Sequence, residues 1–391
     1  MDSYDSGIKK QRVVLSAVVL LFWFSLYVYI PYQATYLTSQ NVAIDTVGVI
    51  LGIYGGMQMC LRMPIGIYSD VKRQHGFLIV LGMAFVGTAS MMRILLPPKI
   101  GFFLGNVFAG LGSSMWSSFM AMFLGMYPDS QKQEATGRVM FYNNLGKLVA
   151  FVVATLFYQF LGMKFLCFLC VVGGYSGMLL GVWLKKKRPV EEKKKVSFSF
   201  SFLSSRLLFF SLLTLMQQGV QMSTAMAYTS KVLEGIGASQ MQIGLSSIIY
   251  MTASVYFSSI VSKESVRKKG PGFWIPLSFV SVWLYCWIVP NVTAIWAVWL
   301  CQLMAGLQTG LLFTMLIAEA TSDMDEEHRA TALSFFQMTY AVGMTVFPMI
   351  SGAISEQHGL KSAYYMLGVV GILGVLITTI YYRGLHRKFR G

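Results

Sequence analysis

Lys185-Lys186-Lys187-Arg188-Pro189-Val190-Glu191-Glu192-Lys193-Lys194-Lys195 is the most densely charged stretch of the chain, and it falls close to the midpoint of 391 residues. On both sides of it the sequence turns apolar. The chain is 55% hydrophobic and only 12% charged, where a soluble domain carries about a quarter charged residues. A bilayer-spanning helix needs roughly 20 mostly apolar residues. Apolar runs bounded by charge, Gly or Pro predict twelve spans, over 12–36, 44–68, 77–96, 100–126, 137–162, 164–184, 207–231, 240–262, 272–290, 293–320, 330–354 and 361–383. Six precede the basic stretch and six follow it, and the gaps leave no room for a separate soluble domain. The expected fold is an all-α integral membrane protein, with a six-helix bundle over 1–184, a basic linker over 185–206 and a second six-helix bundle over 207–391.

Charge sets the expected orientation. Of the 31 Lys and Arg, 24 lie in the tails and in one alternating set of loops, and four (Lys99, Lys164, Lys231, Lys361) lie in the other set. The positive-inside bias therefore places both termini in the cytoplasm of a plasma or inner membrane, which requires an even number of spans. The formal charge of +15 is dispersed among these loops and forms no single patch, so nucleic acid is not an expected partner. Enzyme chemistry is equally unsupported. The five cysteines lie inside apolar runs, and the four histidines converge with no Cys or Asp cluster, so neither a metal site, a cofactor nor a nucleophilic triad is expected.

The two halves are related. A shift of 196 residues sets Tyr32 on Tyr228, Gly48 on Gly244, Tyr54 on Tyr250, Asn106 on Gln302 and Asp129 on Asp325. It also sets Ala109-Gly110-Leu111 on Ala305-Gly306-Leu307 and the loop bases Lys72-Arg73 on Lys268-Lys269. Two six-span halves of the same orientation form the parallel repeat of one large class of transporters, whose substrate site lies between the repeats near the bilayer midplane. Glycines at spacing four, Gly48/Gly52/Gly56 and Gly173/Gly177/Gly181, predict close helix contacts.

After the second span stands Gly66-Ile67-Tyr68-Ser69-Asp70, then Lys72-Arg73. With the duplication, this segment resembles the signature of the major facilitator superfamily, and the resemblance extends over essentially the whole chain. It implies secondary transport by alternating access. It also implies a conformational latch at Gly66, Asp70 and Arg73, with Asp70 facing the start of the eleventh span near Arg329. Val71 stands where the family pattern has a base, and Arg73 where it has glycine. The drug–proton antiporter branch fits poorly. Asn106 replaces that branch's arginine, Ala150-Phe151 replace its Gly-Pro pair, and the first span carries no acid.

Few ionisable groups fall inside spans: Arg62, Arg93, Lys147 and, near one end, Glu319. An ionisable side chain at the centre of a spanning helix costs about 2.5–3.5 kcal/mol on insertion scales, so each requires a partner or a role. Arg62 reads as structural beside the latch, Arg93 as structural near the external end with the reach to snorkel, and Glu319 as a partner for loop bases. Lys147 lies ten residues into its span with Asn143 one turn earlier on the same face. A distant carboxylate, backbone carbonyls or a substrate satisfies it. Polar stripes mark Ser25/Tyr29/Gln33/Tyr36, Asn106/Gly110/Ser113/Ser117 and Thr214/Gln217/Gln221/Thr224/Tyr228. The resemblance implies that the first, fourth, seventh and tenth helices line the cavity. Lys147, Asn143, Asn106, Tyr29, Gln33, Gln217, Gln221 and Gln302 are accordingly the candidate substrate-binding residues.

The interior charge is positive and no nucleotide-binding motif is present. The expectation is a secondary active transporter for a small solute, leaning to an organic anion or polar metabolite. Its expected partners are that solute, a coupling ion (proton or sodium) and the lipid bilayer, with the chain acting as a monomer. The alternatives are a polyspecific drug–proton antiporter and a receptor that transports nothing.

Overall fold

In hydrocarbon the backbone has only itself to hydrogen-bond with, so apolar chain of this length must become helix. The computed structural model describes residues 2–72, 74–128, 131–184, 203–261, 263–322 and 326–388, and the described residues are helical with no strand. Ten helical stretches are long and apolar enough to cross a membrane. One of them, Ala135–Val182, has 48 residues, about 72 Å of helix and more than twice the hydrocarbon thickness. It turns at Gly162, whose φ of 70° a side chain would resist, and so forms the fifth and sixth spans. The seventh is Ser205–Ser223 continued through a π-turn at Thr224–Tyr228 into Thr229–Gly235. Its glutamines lower its hydropathy. With these two, the expected twelve spans are all present.

The remaining spans are Asp2–Tyr27 with Ile30–Ser39, Ile44–Lys72, His75–Leu95, Pro98–Ser114 with Trp116–Leu124, Gln240–Ile260, Pro271–Ile288, Ile295–Leu307 through Phe313–Thr321, Glu326–His358 and Leu360–Lys388. The duplication is visible in the backbone. The second and eighth spans start at Ile44 and Gln240, the third and ninth at His75 and Pro271, each pair 196 residues apart. The interruptions repeat too. The first span breaks after Tyr27 and the seventh at Thr224–Tyr228, while the fourth breaks at Met115 and the tenth at the π-turn Gln308–Leu312.

The helices form two compact units, Met1–Ile30 with Met57–Phe200, and Pro31–Gly56 with Ser201–Gly391. In the first, the third and sixth spans touch backbone to backbone: a Cβ on Gly174 would stand 2.5 Å from Gly87 Cα. Gly173 and Gly177 likewise face Ser25 and Met83, as the glycine stripe predicts. The first span packs on the fifth, where a Cβ on Gly146 would stand 2.6 Å from the Leu20 carbonyl. The second unit repeats this contact with Gly343 of the eleventh span against the Leu215 carbonyl of the seventh. Residues 31–56, early in the sequence, belong to this second unit. Gly48, Gly52 and Gly55 lie against residues 344–352 of the eleventh span, with Gly352 3.0 Å from Gly48 Cα by the same measure. Ile44 N donates to Glu356 Oε2 at 3.0 Å and Tyr32 Oη to the Gln240 carbonyl at 2.8 Å.

These contacts leave no space for a side chain. Gly174→Leu is expected to lower the melting temperature of detergent-solubilised protein, consistent with the ~1–3 kcal/mol that overpacking costs. Gly137→Ala, where an added Cβ meets nothing within 4 Å, is expected to melt as wild type when both are followed by tryptophan fluorescence.

Candidate functional site

The close approach at Gly146 sets the position of its neighbour. Because the fifth span lies directly on Leu20 and Trp23 of the first, Lys147 reaches over that helix, and its Nζ stands 4.2 Å from the centre of the Trp23 ring and 5.0 Å from that of Tyr27. The rings are held from behind. Trp23 meets Trp116 edge-on at 5.1 Å, and Tyr27 meets Phe151 at 6.1 Å. Lys147 is half-buried. No carboxylate pairs with it among the described residues, and the described side chains of this unit include no Asp or Glu at all. A turn earlier, Asn143 is only 6% exposed, and its Oδ1 has no hydrogen-bond partner among the described residues. The indole Nε1 of Trp23, 7% exposed, also lacks one. Ring faces offset part of the cost of an ammonium in the bundle, but they supply no counter-charge.

Arg93 is a different kind of cation. It does not snorkel from the end of its helix: its side chain turns inward and is 4% exposed. One terminal nitrogen donates to Ser90 Oγ at 2.8 Å. The other donates to Tyr29 Oη at 2.9 Å and Asn106 Oδ1 at 2.8 Å. The guanidinium also lies 3.9 Å over the Tyr29 ring. Gly105 makes the room, since a Cβ there would meet the Arg93 side chain at 2.7 Å. Two candidate binding residues, Tyr29 and Asn106, are therefore brought together by Arg93, which crosslinks the first, third and fourth spans. Arg62 is buried in the same unit, as is Gly66, while Ser69 bonds to His75 Nδ1 at 2.8 Å and Ser118 Oγ at 2.9 Å. The side chains of Asp70, Arg73 and Arg329 lie outside the described residues, and with them the latch.

The second unit is filled with amides and hydroxyls. Gln217 Nε2 donates to Gln221 Oε1 at 3.2 Å and to the Gln308 carbonyl at 3.3 Å, where the tenth span's π-turn begins. Gln221 donates to Tyr250 Oη at 2.8 Å, and Tyr250 bonds in turn to Thr309 at 3.0 Å. The Gln217 oxygen and the Gln33 amide nitrogen are buried without a partner among the described residues. Gln302 is engaged at both ends, accepting from Tyr285 Oη at 3.3 Å and donating to Ser246 Oγ at 2.7 Å. The Tyr285 proton being spent there, Thr229 donates to Tyr285 at 2.6 Å and Tyr364 to Thr229 at 2.9 Å. This ordered chain joins the seventh to the tenth and twelfth spans. Beside it lies a cavity with about 10 Å³ open to the centre of a water-sized sphere, room for about one water. Glu319 pairs with Arg206 at 2.7 Å, as expected of a partner for a loop base.

Sequence reading missed Trp23 and Tyr27. They lie on nearly the opposite face of the first span from Ser25 of the polar stripe, two residues away on the helix, and only the Lys147 contact marks them. Tyr250 carried a signal, its identity with Tyr54 in the repeat, and Thr309 adjoined the Gln302 turn. Thr229, Tyr285 and Tyr364 gave none. Among the described residues no group of three or more His, Cys, Asp or Glu side chains is placed to hold a metal.

The family model described as Major Facilitator Superfamily matches residues 15–324 and again 212–389. An uncharacterised MFS-type transporter of Methanocaldococcus jannaschii is 20% identical over 367 residues, covering 89% of this chain and 92% of that protein. The inner membrane transport protein YajR of Escherichia coli is 24% identical over 172 residues, 44% of this chain and 37% of that protein. Among solved structures, a bacterial homologue of the human lysosomal transporter Spinster, inward-facing and occupied, superposes with a TM-score of 0.75 at 12% identity, covering 95% of this chain and 96% of that one. The nucleoside transporter NupG does so with a TM-score of 0.77 at 12% identity, covering 95% and 99%. At this identity both show the fold alone.

The role of Arg93 as a crosslink has a direct test. Arg93→Met strips three buried oxygens of their donor and is expected to destabilise the protein by on the order of 3 kcal/mol. Arg93→Lys, whose ammonium cannot reproduce the planar fork, is expected to recover only part of the melting temperature.

Proposed function

The chain belongs to the major facilitator superfamily and is thus a multi-pass membrane transporter, and from that premise we propose that it carries a small organic anion by alternating access, as a secondary active transporter. The observation that carries this reading is Lys147, a half-buried ammonium with ring faces behind it and no carboxylate beside it among the described residues. A lone cation inside a bundle is costly unless something of opposite charge visits it. A transported anion supplies that charge. Contrast with Arg93 supports the assignment. Arg93 has three side-chain oxygens from its own unit on its two terminal nitrogens, although its Nε is buried without a partner among the described residues.

The packing of the second unit supports it further. Gly146 and Gly343 make similar contacts in the two units, against the carbonyls of Leu20 and Leu215. The two glycines stand one residue off the 196-residue register, and the residue after each is Lys147 in one unit and Met344 in the other. Packing at this position accepts a neutral thioether of similar length, so the fold does not demand the charge. Asn143, in the same unit as Lys147 and one turn before it, is the amide we assign to the polar remainder of the solute. Energy comes from an ion gradient or from the solute's own gradient. The Lys and Arg distribution supports a plasma or inner membrane location with both termini cytoplasmic.

Thermal stabilisation of the purified protein by a panel of organic anions, organic cations, sugars and neutral amino acids tests the reading. Anions are expected to raise the melting temperature. Lys147→Ala is expected to weaken their binding about 10–100-fold, the equivalent of a charged hydrogen bond, and Lys147→Arg to retain most of it. Unchanged anion affinity in Lys147→Ala would sink the assignment.

A further inference from the structure

The surroundings of Lys147 specify more than a charge, and on the reading just given we propose that its ligand is an aromatic hydroxy acid: a carboxylate, a neutral hydroxyl near it and an aromatic body. Three features of the first unit each supply one part of that description. The first is a pair of donors. The Trp23 Nε1–H is buried with no acceptor among the described residues, and it lies on the edge of the ring that backs the Lys147 ammonium. One carboxylate takes both. A buried donor left unpaired is costly, so a ligand that pairs it gains specificity as well as charge neutralisation.

The second is an acceptor. Asn143 Oδ1 is buried and unpartnered among the described residues, one helical turn before Lys147 on the same face. It wants an O–H or N–H from the ligand at a short distance from the acid group. A ligand ammonium would satisfy the oxygen but would bring a second positive charge beside Lys147. No Asp or Glu among the described side chains of this unit would offset it. A hydroxyl satisfies Asn143 without that repulsion, so zwitterionic amino acids are disfavoured by charge alone.

The third is the wall. Tyr27 is half-buried beside Lys147 and is backed by Phe151, as Trp23 is by Trp116. Aromatic groups gain offset or edge-to-face contact with such rings beyond the area they bury. An aliphatic body forfeits that part.

Four compounds that differ by one group each test this on the full-length protein in detergent, by calorimetry: phenyl-lactate, lactate, phenylpropionate and phenylalanine. Phenyl-lactate is expected to bind at least about tenfold more tightly than lactate or phenylpropionate, and phenylalanine to bind more weakly than any of the acids. Asn143→Ala is expected to remove the preference for phenyl-lactate over phenylpropionate, while Trp23→Phe weakens both acids alike. The four-compound ranking on wild type needs no variant to fold. Equal binding of phenylalanine and phenyl-lactate, a preference that survives Asn143→Ala, or no binding of the aromatic acids overturns the proposal. If inorganic phosphate or citrate binds in a Lys147-dependent way while the aromatic acids do not, this proposal falls and the anion reading stands. If phenyl-lactate binds Lys147→Ala as tightly as wild type, the anion reading falls with it.

Discussion

Inside hydrocarbon an unpaired backbone N–H or C=O has no water to turn to, and each one left so costs several kcal/mol. That constraint makes every interruption of a spanning helix a feature to be explained. The four breaks described above fall in the first, fourth, seventh and tenth spans, and each is refilled locally. Val28 N bonds back to the Phe24 carbonyl at 3.0 Å and Met115 N to that of Gly112 at 3.1 Å. The two π-turns close with Thr229 N on the Thr224 carbonyl and Phe313 N on the Gln308 carbonyl. Side chains join in: Ser114 on the Gly110 carbonyl at 2.8 Å, Thr224 on Val220 at 2.7 Å, Gln217 on Gln308 at 3.3 Å. The need to satisfy a broken backbone thus draws polar residues to these four helices.

One backbone plan, used twice, is filled with two different chemistries. The first unit holds its cations against aromatic rings. In the second, among the described span cations, Arg206 and Lys231 lie near helix ends and pair with Glu319 and Glu234. Its interior is knitted by amide and hydroxyl chains running through Gln217, Gln221 and Tyr250, and through Tyr364, Thr229, Tyr285 and Gln302. The equivalent amides show the divergence. Asn106 accepts from an arginine, whereas Gln302 accepts from a tyrosine and donates to a serine. Both are fully at home in a packed interior, so an amide on a cavity-lining helix is not in itself a binding residue.

The fold was legible because its signals are long and additive. A run of twenty apolar residues, a 196-residue register and a charge bias summed over 31 residues survive many local exceptions. Even the π-turn at Thr224–Tyr228 hides inside a span without altering the count. The site was legible only in part, because it depends on which faces meet. Lys147 stood out since a charge at that depth is rare. Arg93 also stood out, but its partners did not, because nothing in one helix's sequence reveals that Gly105 on the next opens a path for its side chain inward. Trp23 and Tyr27 were hidden among the many aromatic residues of a lipid-facing composition, and only the contact of Gly146 with Leu20 selects them.

What separates a functional charge from a structural one is whether the fold would still close without it. Removing Arg93 would leave three oxygens facing inward with no donor, so that charge belongs to the architecture. At Lys147 the molecule contains its own control. The eleventh span meets the seventh much as the fifth meets the first, glycine against carbonyl, and carries Met344 after that glycine. The Lys147 ammonium gains the faces of Trp23 and Tyr27, which a thioether would not need, and it brings a desolvation cost that those rings only partly offset. That remaining cost is why the proposed function rests on Lys147 and not on Arg93.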